Sequence, residues 1–191
     1  GDPGQLPPIG FGLTFHSLVE DTRIPRSTLT LPQRSKASTG IPVVCEAIRE
    51  GRIPQLASAW KSGVGVAFVE AAKDEITDLV IDLIAELGGV GDVQVVGSVK
   101  AGPGAVHEIN GRLHGLMALG RRECAARFHE GEPVMATRND YELDVMNGEM
   151  GIVRDSDGEG GLLCTFDDGE KRIPILYLAH LDLAYAITTH N

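Results

Sequence analysis

Ile76-Thr77-Asp78-Leu79-Val80-Ile81-Asp82-Leu83-Ile84-Ala85-Glu86-Leu87-Gly88-Gly89 is the stretch on which the fold class turns. Ile76, Leu79, Val80, Leu83, Ile84 and Leu87 recur at intervals of three and four, which places them on one face of a helix. Asp74, Glu75, Asp78, Asp82 and Glu86 lie mostly off that stripe, and acidic residues in the first turn suit the positive end of the helix dipole. Gly88-Gly89 is a stop signal. On either side stand short apolar runs, Val64-Gly65-Val66-Ala67-Phe68-Val69 and Val93-Gln94-Val95-Val96-Gly97. Their near-continuous apolar character predicts strands buried on both faces. Strand, helix and strand at this spacing predict a βαβ unit, and with it an α/β fold on a parallel sheet.

Downstream, Ser98 to Gly104 leaves the second strand at its carboxyl edge, where open α/β sheets bind ligands. Lys100 in this loop is therefore a candidate contact for a phosphate or a nucleic-acid backbone. Ala105 to Met117 predicts a second amphipathic helix through Val106, Ile109, Leu113 and Met117. Asn110 interrupts its apolar face, either as a satisfied buried amide or as a surface contact. Residues 119–131 read as a polar transition. Four strand-like segments follow: Glu132–Arg138, Glu149–Asp155, Leu162–Asp167 and Lys171–Leu176. Asn147-Gly148, Asp157-Gly158 and Asp168-Gly169 are the turn signals between them. This pattern predicts a small antiparallel barrel, too small to be stable alone and so an insertion propped on the α/β layer. Tyr141, in its first long connection, either stacks on a base or packs over the barrel mouth. Leu181 to His190 begins another α/β element; Leu183, Tyr185 and Ile187 alternate, while the alanines also permit a helix.

Upstream, Ile41 to Arg49 predicts a helix with Ile41, Val44, Cys45 and Ile48 on one face and Gly51 to end it. Phe15, Leu18 and Val19 suggest a turn or two of helix packed on a core. Leu29-Thr30-Leu31 reads as extended between Pro25 and Pro32. Arg34, just after it, is either a solvated loop arginine or a phosphate contact through its rigid fork of donors. The opening stretch Gly1-Asp2-Pro3-Gly4-Gln5-Leu6-Pro7-Pro8-Ile9-Gly10 holds three glycines and three prolines in ten residues. Such a stretch is a stiff loop that presents Asp2 and Gln5, with a strand expected to precede it; a disordered terminus is the alternative.

The chain has 191 residues and a formal net charge of -10. This charge argues against a free-standing, non-specific nucleic-acid binder, but not against a nucleic-acid enzyme whose basic groove lies elsewhere. Cys45, Cys124 and Cys164 are widely spaced and form no CxxC pair. They read as reduced thiols of a cytoplasmic protein, and no metal site is expected. No apolar run reaches membrane-spanning length.

Taken together, these stretches resemble the superfamily 1 DNA helicases, especially the RecD-like branch. Gly1-Asp2-x-x-Gln5-Leu6-Pro7-Pro8 resembles that family's motif III. Leu29-Thr30-x-x-x-Arg34 resembles its next conserved stretch, with Ser35 where the family has Gln. Val93-Gln94-Val95 through Lys100-x-Gly102, with Asn110, looks like the strand–loop–helix of the second motor domain. Val134-Met135-x-Thr137-Arg138-Asn139-Asp140-Tyr141, continuing to Asn147-Gly148-Glu149-x-Gly151, resembles the SH3-like 2B insertion. Leu183-Ala184-Tyr185-Ala186-Ile187-Thr188-x-His190 looks like the start of motif V, with Asn191 where the family has Lys.

The resemblance implies a partial RecA-like (P-loop NTPase-type) motor with an inserted SH3-like small β-barrel. Residues 1–28 would be a remnant of the first motor domain, 29–131 the first part of the second (2A), 132–180 the 2B insertion and 181–191 the return to 2A. It implies that Asp2, Gln5 and Arg34 face ATP, with Gln5 sensing the terminal phosphate and Arg34 reaching it across the cleft. Lys100, Asn139, Tyr141, Asn147, Thr188 and His190 would contact single-stranded DNA. ATP and Mg²⁺ would be the cofactors of the full-length enzyme. G-x-x-x-x-G-K-[ST] does not occur in these 191 residues, and the Asp-Glu pair present, Asp74-Glu75, lies at the start of the predicted helix and not in a motif II, so the stretch alone is expected neither to bind nucleotide tightly nor to hydrolyse it. An N-terminal ATPase domain and nuclease or recombination subunits are the implied partners. Two further readings stand beside this one: an SH3-like protein-interaction module on an α/β domain, and a nucleotide-binding enzyme of another class.

Overall fold

The computed structural model describes residues 1–5, 12–29, 39–56 and 65–189. The chain divides into two compact units, Gly1–Glu70 and Ala71–Asn191.

The first unit contains helices α1 (Thr14–Glu20) and α2 (Ile41–Arg49). Gly51, at φ +70°, ends α2. Its N–H reaches the Ile48 carbonyl at 3.0 Å and the Arg52 N–H reaches Ala47 at 2.8 Å, a Schellman close that needs a left-handed residue. The expected apolar faces are not buried among the described residues. α1 buries nothing, and of α2 only Ala47 is buried, while Phe15, Leu18, Ile41 and Ile48 remain exposed.

The second unit carries the fold's core. Helix α3 (Ile76–Glu86) forms where the periodicity puts it, and the Gly89 N–H closes it on the Ile84 carbonyl at 2.8 Å. Strand β1 (Val95–Gly97) and helix α4 (Val106–Met117) follow. In its described part the expected strand over Val64–Val69 is reduced to a single bridge residue, Ala67. Gly65 sits at φ +108°, outside the extended region, and Phe68 is 63% exposed. The parallel partner of β1 comes instead from the end of the chain, strand β9 (Ala186–Thr188), in the register Val95↔Ala186, Val96↔Ile187 and Gly97↔Thr188. Ile84 of α3, Ile109 and Leu113 of α4, and Tyr185 and Ala186 pack into one apolar cluster beside this pair.

Residues 119–131 are not merely a polar transition. They hold a bulged hairpin, β2 (Glu123–Ala125) with β3 (Phe128–His129), turned at Ala126 with φ 49°. The antiparallel region then forms β4 (Pro133–Ala136), β5 (Met150–Ser156), β6 (Leu162–Phe166) and β7 (Gly169–Ile173). A 3-10 helix (Ile175–His180) leads to β8 (Leu181–Leu183). The strand order is β7-β6-β5-β4-β8. These five strands form an open sheet rather than a closed barrel, because the edge strands β7 and β8 are not paired with each other.

The residues facing inward from this sheet alternate as expected of a half-buried ladder. Val153, Leu162, Cys164, Ile173 and Leu181 are fully buried around Phe128. Gly151 is required by close approach, since a Cβ there would lie 2.9 Å from the Phe166 ring. Leu183 packs against both apolar clusters, so one side chain joins the α/β part to the sheet. No described helix is long and apolar enough to cross a membrane.

Truncating Leu162 to Ala should remove about 2–5 kcal/mol of stability, read from urea unfolding, whereas Arg154→Ala on the exposed side of β5 should change little. Burial pushes the Cys164 thiol from 9.0 up to about 12. Its contribution to stability is therefore complete below pH 9 and falls away as the pH climbs towards 12. Iodoacetamide at pH 8 should accordingly label exposed Cys45 far faster than Cys164, of which about 10⁻⁴ is thiolate. Similar labelling rates in the folded protein would contradict the packing of β6.

Candidate nucleic-acid interface

The carboxyl ends of a parallel strand pair leave unpaired backbone groups and short loops facing outward. Here β1 and β9 end at Gly97 and Thr188, and a cleft of about 370 Å³ opens beside them. Lys100, His107, Asn110, Arg127, Asp182 and Thr188 contribute to its wall.

Local backbone chemistry fixes the loop that carries Lys100. The Lys100 carbonyl accepts from the His107 N–H at 3.0 Å, and the Val99 carbonyl accepts from Val106 at 3.3 Å. The first donors of α4 are thus used by the loop itself. Glu108 accepts from the Gly104 N–H at 2.9 Å. Gly104 has φ +69°, and a Cβ there would lie 2.8 Å from the Ile76 Cβ. A Cβ at Gly97 would likewise meet Val106 at 2.7 Å. Both glycines let strand, loop and helices close tightly behind the cleft.

Asn110 settles which of its two readings holds. It is 8% exposed, and its amide nitrogen donates to the Leu183 and Ala186 carbonyls, each at 2.9 Å. Its side-chain oxygen accepts from the Ala186 N–H at 2.8 Å. It is a buried amide that holds β9 in position. Arg127, which the sequence reading passed over, donates to the Leu181 carbonyl at 3.0 Å and to Asp182 at 3.2 Å, beside the Phe128 ring. It and Lys100 are both among the residues that line the cleft. Its place in a charged stretch with no visible period gave no signal.

The other candidate residues fall elsewhere. Asn139 and Asn147 meet in the β4–β5 connection, where the Asn147 N–H donates to the Asn139 side-chain oxygen at 2.8 Å. The connection is tied by the Asp140↔Val145 bridge, with Asp140 also accepting from Glu142 and Leu143. Tyr141 stands at its tip, 79% exposed, so it does not pack over a barrel mouth. In the first unit, Asp2 accepts from the Gly4 N–H at 2.9 Å and from Gln5 Nε2 at 3.5 Å, and lies 3.8 Å from Arg49. Gln5 is exposed. Arg34 and His190 lie outside the described residues.

A second cluster was missed entirely. Glu132 is fully buried, although it begins the antiparallel region. It accepts from His114 Nδ1 at 2.7 Å, from the Tyr185 hydroxyl at 3.0 Å and from the His129 N–H at 2.8 Å. Burial, reinforced by the Glu132 carboxylate, pushes the Tyr185 phenol well above its ordinary range. Only the spacing His129-x-x-Glu132 could have hinted at this grouping, because His114 arrives from a different element.

No family model matches the chain. Over 196 aligned positions covering all of it, the chain is 31% identical to the ATP-dependent RecD2 DNA helicase of Deinococcus radiodurans. It spans 26% of that relative's length. Among solved structures, Pif1 from Bacteroides sp. bound to single-stranded DNA is 16% identical, covering 79% of this chain and 39% of that one, with a TM-score of 0.39. The same protein in complex with ADP-AlF4 is 17% identical over 66% and 42%, with a TM-score of 0.36. The relationship runs along the whole of this chain and supports a fragment of a RecD-like superfamily 1 helicase.

Replacing Asn110 with Ala should leave one N–H and two carbonyls of the return segment without their partner. The expected loss is about 1–3 kcal/mol in urea unfolding. Asn110→Asp should be no better, because a carboxylate cannot donate to the Leu183 and Ala186 carbonyls.

Proposed function

We propose that this chain is part of an ATP-dependent DNA helicase that works in the cytoplasm, in DNA repair or recombination, and couples ATP hydrolysis to movement along single-stranded DNA. Residues 1–28 belong to the first motor domain, 29–131 and 181–191 to a RecA-like second motor domain, and 132–180 to an SH3-like 2B insertion. The observation that carries this reading is the cleft at the carboxyl end of β1 and β9, where Lys100 and Thr188 meet, in a chain related throughout its length to a RecD-like helicase. Lys100 and Arg127 among the lining residues suit a phosphate backbone even on a chain of net charge -10, although Asp182 of the same cleft pairs with Arg127.

In this mechanism ATP with Mg²⁺ supplies the energy and the transferable phosphoryl group, bound largely by parts of the enzyme other than these residues. Gln5 reports the state of the terminal phosphate, and Asp2 fixes the loop that holds it. Arg34 stabilises charge on that phosphate from the second motor domain. Lys100 neutralises a DNA phosphate, while Thr188 and His190 continue the track. Asn139 and Asn147 shape the loop that offers Tyr141 to a base.

In the complete helicase, Lys100→Ala should weaken single-stranded DNA binding and reduce the salt slope of the affinity by about one. Tyr141→Ala should weaken it by about 1–3 kcal/mol with a smaller change in salt slope. Both should lower unwinding more than basal ATPase. If single-stranded DNA binding were unaffected by both changes, the cleft and the loop would not be the DNA track.

A further inference from the structure

The buried cluster around Glu132 lies outside the proposed DNA track and calls for its own account. We propose that His114, His129 and Glu132 bind a divalent transition-metal ion of the Zn²⁺ class, joining α4 to the start of the antiparallel sheet. Their ligating atoms all lie within 4.8 Å of one another. Imidazole nitrogen and carboxylate oxygen are donors that Zn²⁺ takes, and two imidazoles disfavour Mg²⁺ and Ca²⁺.

Hydrogen bonding leaves the cluster incomplete in one place. The His129 N–H holds one Glu132 oxygen and the Tyr185 hydroxyl the other, while the 2.7 Å hydrogen bond between His114 Nδ1 and Glu132 is one that a bound ion would replace. Such outer contacts hold a metal-binding carboxylate in a single pose. His129 Nδ1, however, is buried without a hydrogen-bond partner. It faces Glu132 Oε2 at 3.7 Å, too far for a hydrogen bond. Buried polar atoms are rarely left so. Two ligands on one tetrahedral ion, each at about 2.0–2.2 Å, stand about 3.3–3.6 Å apart, close to this gap. The His114 and His129 side chains keep 27% and 18% exposure, enough to admit an ion and to let water fill a fourth position.

The three ligands come from α4, from β3 and from the segment between β3 and β4. A bound ion would therefore fasten the antiparallel sheet to the helix at the point where the chain enters it. This inference does not depend on the helicase reading.

The test is titration of the metal-stripped 191-residue chain with Co²⁺ and Zn²⁺. The expected result is one Co²⁺ per chain, with the strong visible d–d absorption of a four-coordinate site and no thiolate-to-metal charge-transfer band. Zn²⁺ should displace it and Mg²⁺ should not. At a Zn²⁺ concentration 100 times Kd, Tm should rise by about 5–10 °C. His129→Gln should weaken binding by at least about 100-fold and remove the rise in Tm. His114→Gln, at the more exposed ligand, should do the same and serves if the first variant does not fold. Lack of binding by the unaltered chain, a thiolate charge-transfer band, or unchanged affinity in a folded variant would each overturn the proposal.

Discussion

The amide of Asn110 is the interaction on which the larger unit depends. A chain that leaves an antiparallel sheet and joins a parallel strand must change partners within a few residues, and its backbone groups have no regular ladder during the change. Asn110 supplies that missing ladder, taking the carbonyls of Leu183 and Ala186 and the N–H of Ala186. β9 can then lie beside β1, although 91 positions separate Val95 from its partner Ala186 in sequence. Leu183 adds an apolar counterpart by packing into both cores. Without the amide, the return segment would bury polar backbone without partners, and the cleft would lose one wall.

Much of this was legible in the residues. The stripe of α3, the stripe of α4 and the Gly closures of α2 and α3 each follow from local chemistry, and all form where the pattern puts them. So do β4 to β6, with a turn at Asn147-Gly148 that needs an unusual backbone angle, whereas β7 starts two residues before the expected Lys171 and gives way to the 3-10 helix before Leu176. What was not legible is long-range pairing. Val64–Val69 has the composition of a buried strand, but composition does not name a partner, and the partner of β1 lies at the other end of the chain. The alternation of Leu183, Tyr185 and Ile187 was visible, but not its division between two sheets. Amphipathic spacing in α1 and α2 likewise promised burial that the described residues do not show, since a stripe specifies a face and not what covers it.

The site was legible in the same uneven way. Lys100 was placed by the rule that loops at the carboxyl ends of parallel strands face ligands, and it does line the cleft. Arg127 and the His114–His129–Glu132 group were not foreseen, because each depends on elements that meet only in three dimensions. Glu132 is the sharper case. A glutamate at the start of a strand reads as solvated, yet it is wholly enclosed and held by three donors from separate parts of the chain.

The open sheet has one more consequence. Its edge strand β7, Gly169-Glu170-Lys171-Arg172-Ile173, would offer free backbone groups to any passing strand. Lys171 is held there by Glu149 and Asp168, and Arg172 by Asp157 and Glu159. These pairs set a fence of fixed charge along the rim, and a second sheet docking there would have to strip water from it. The β7 edge is thus guarded by charge while the sheet stays open.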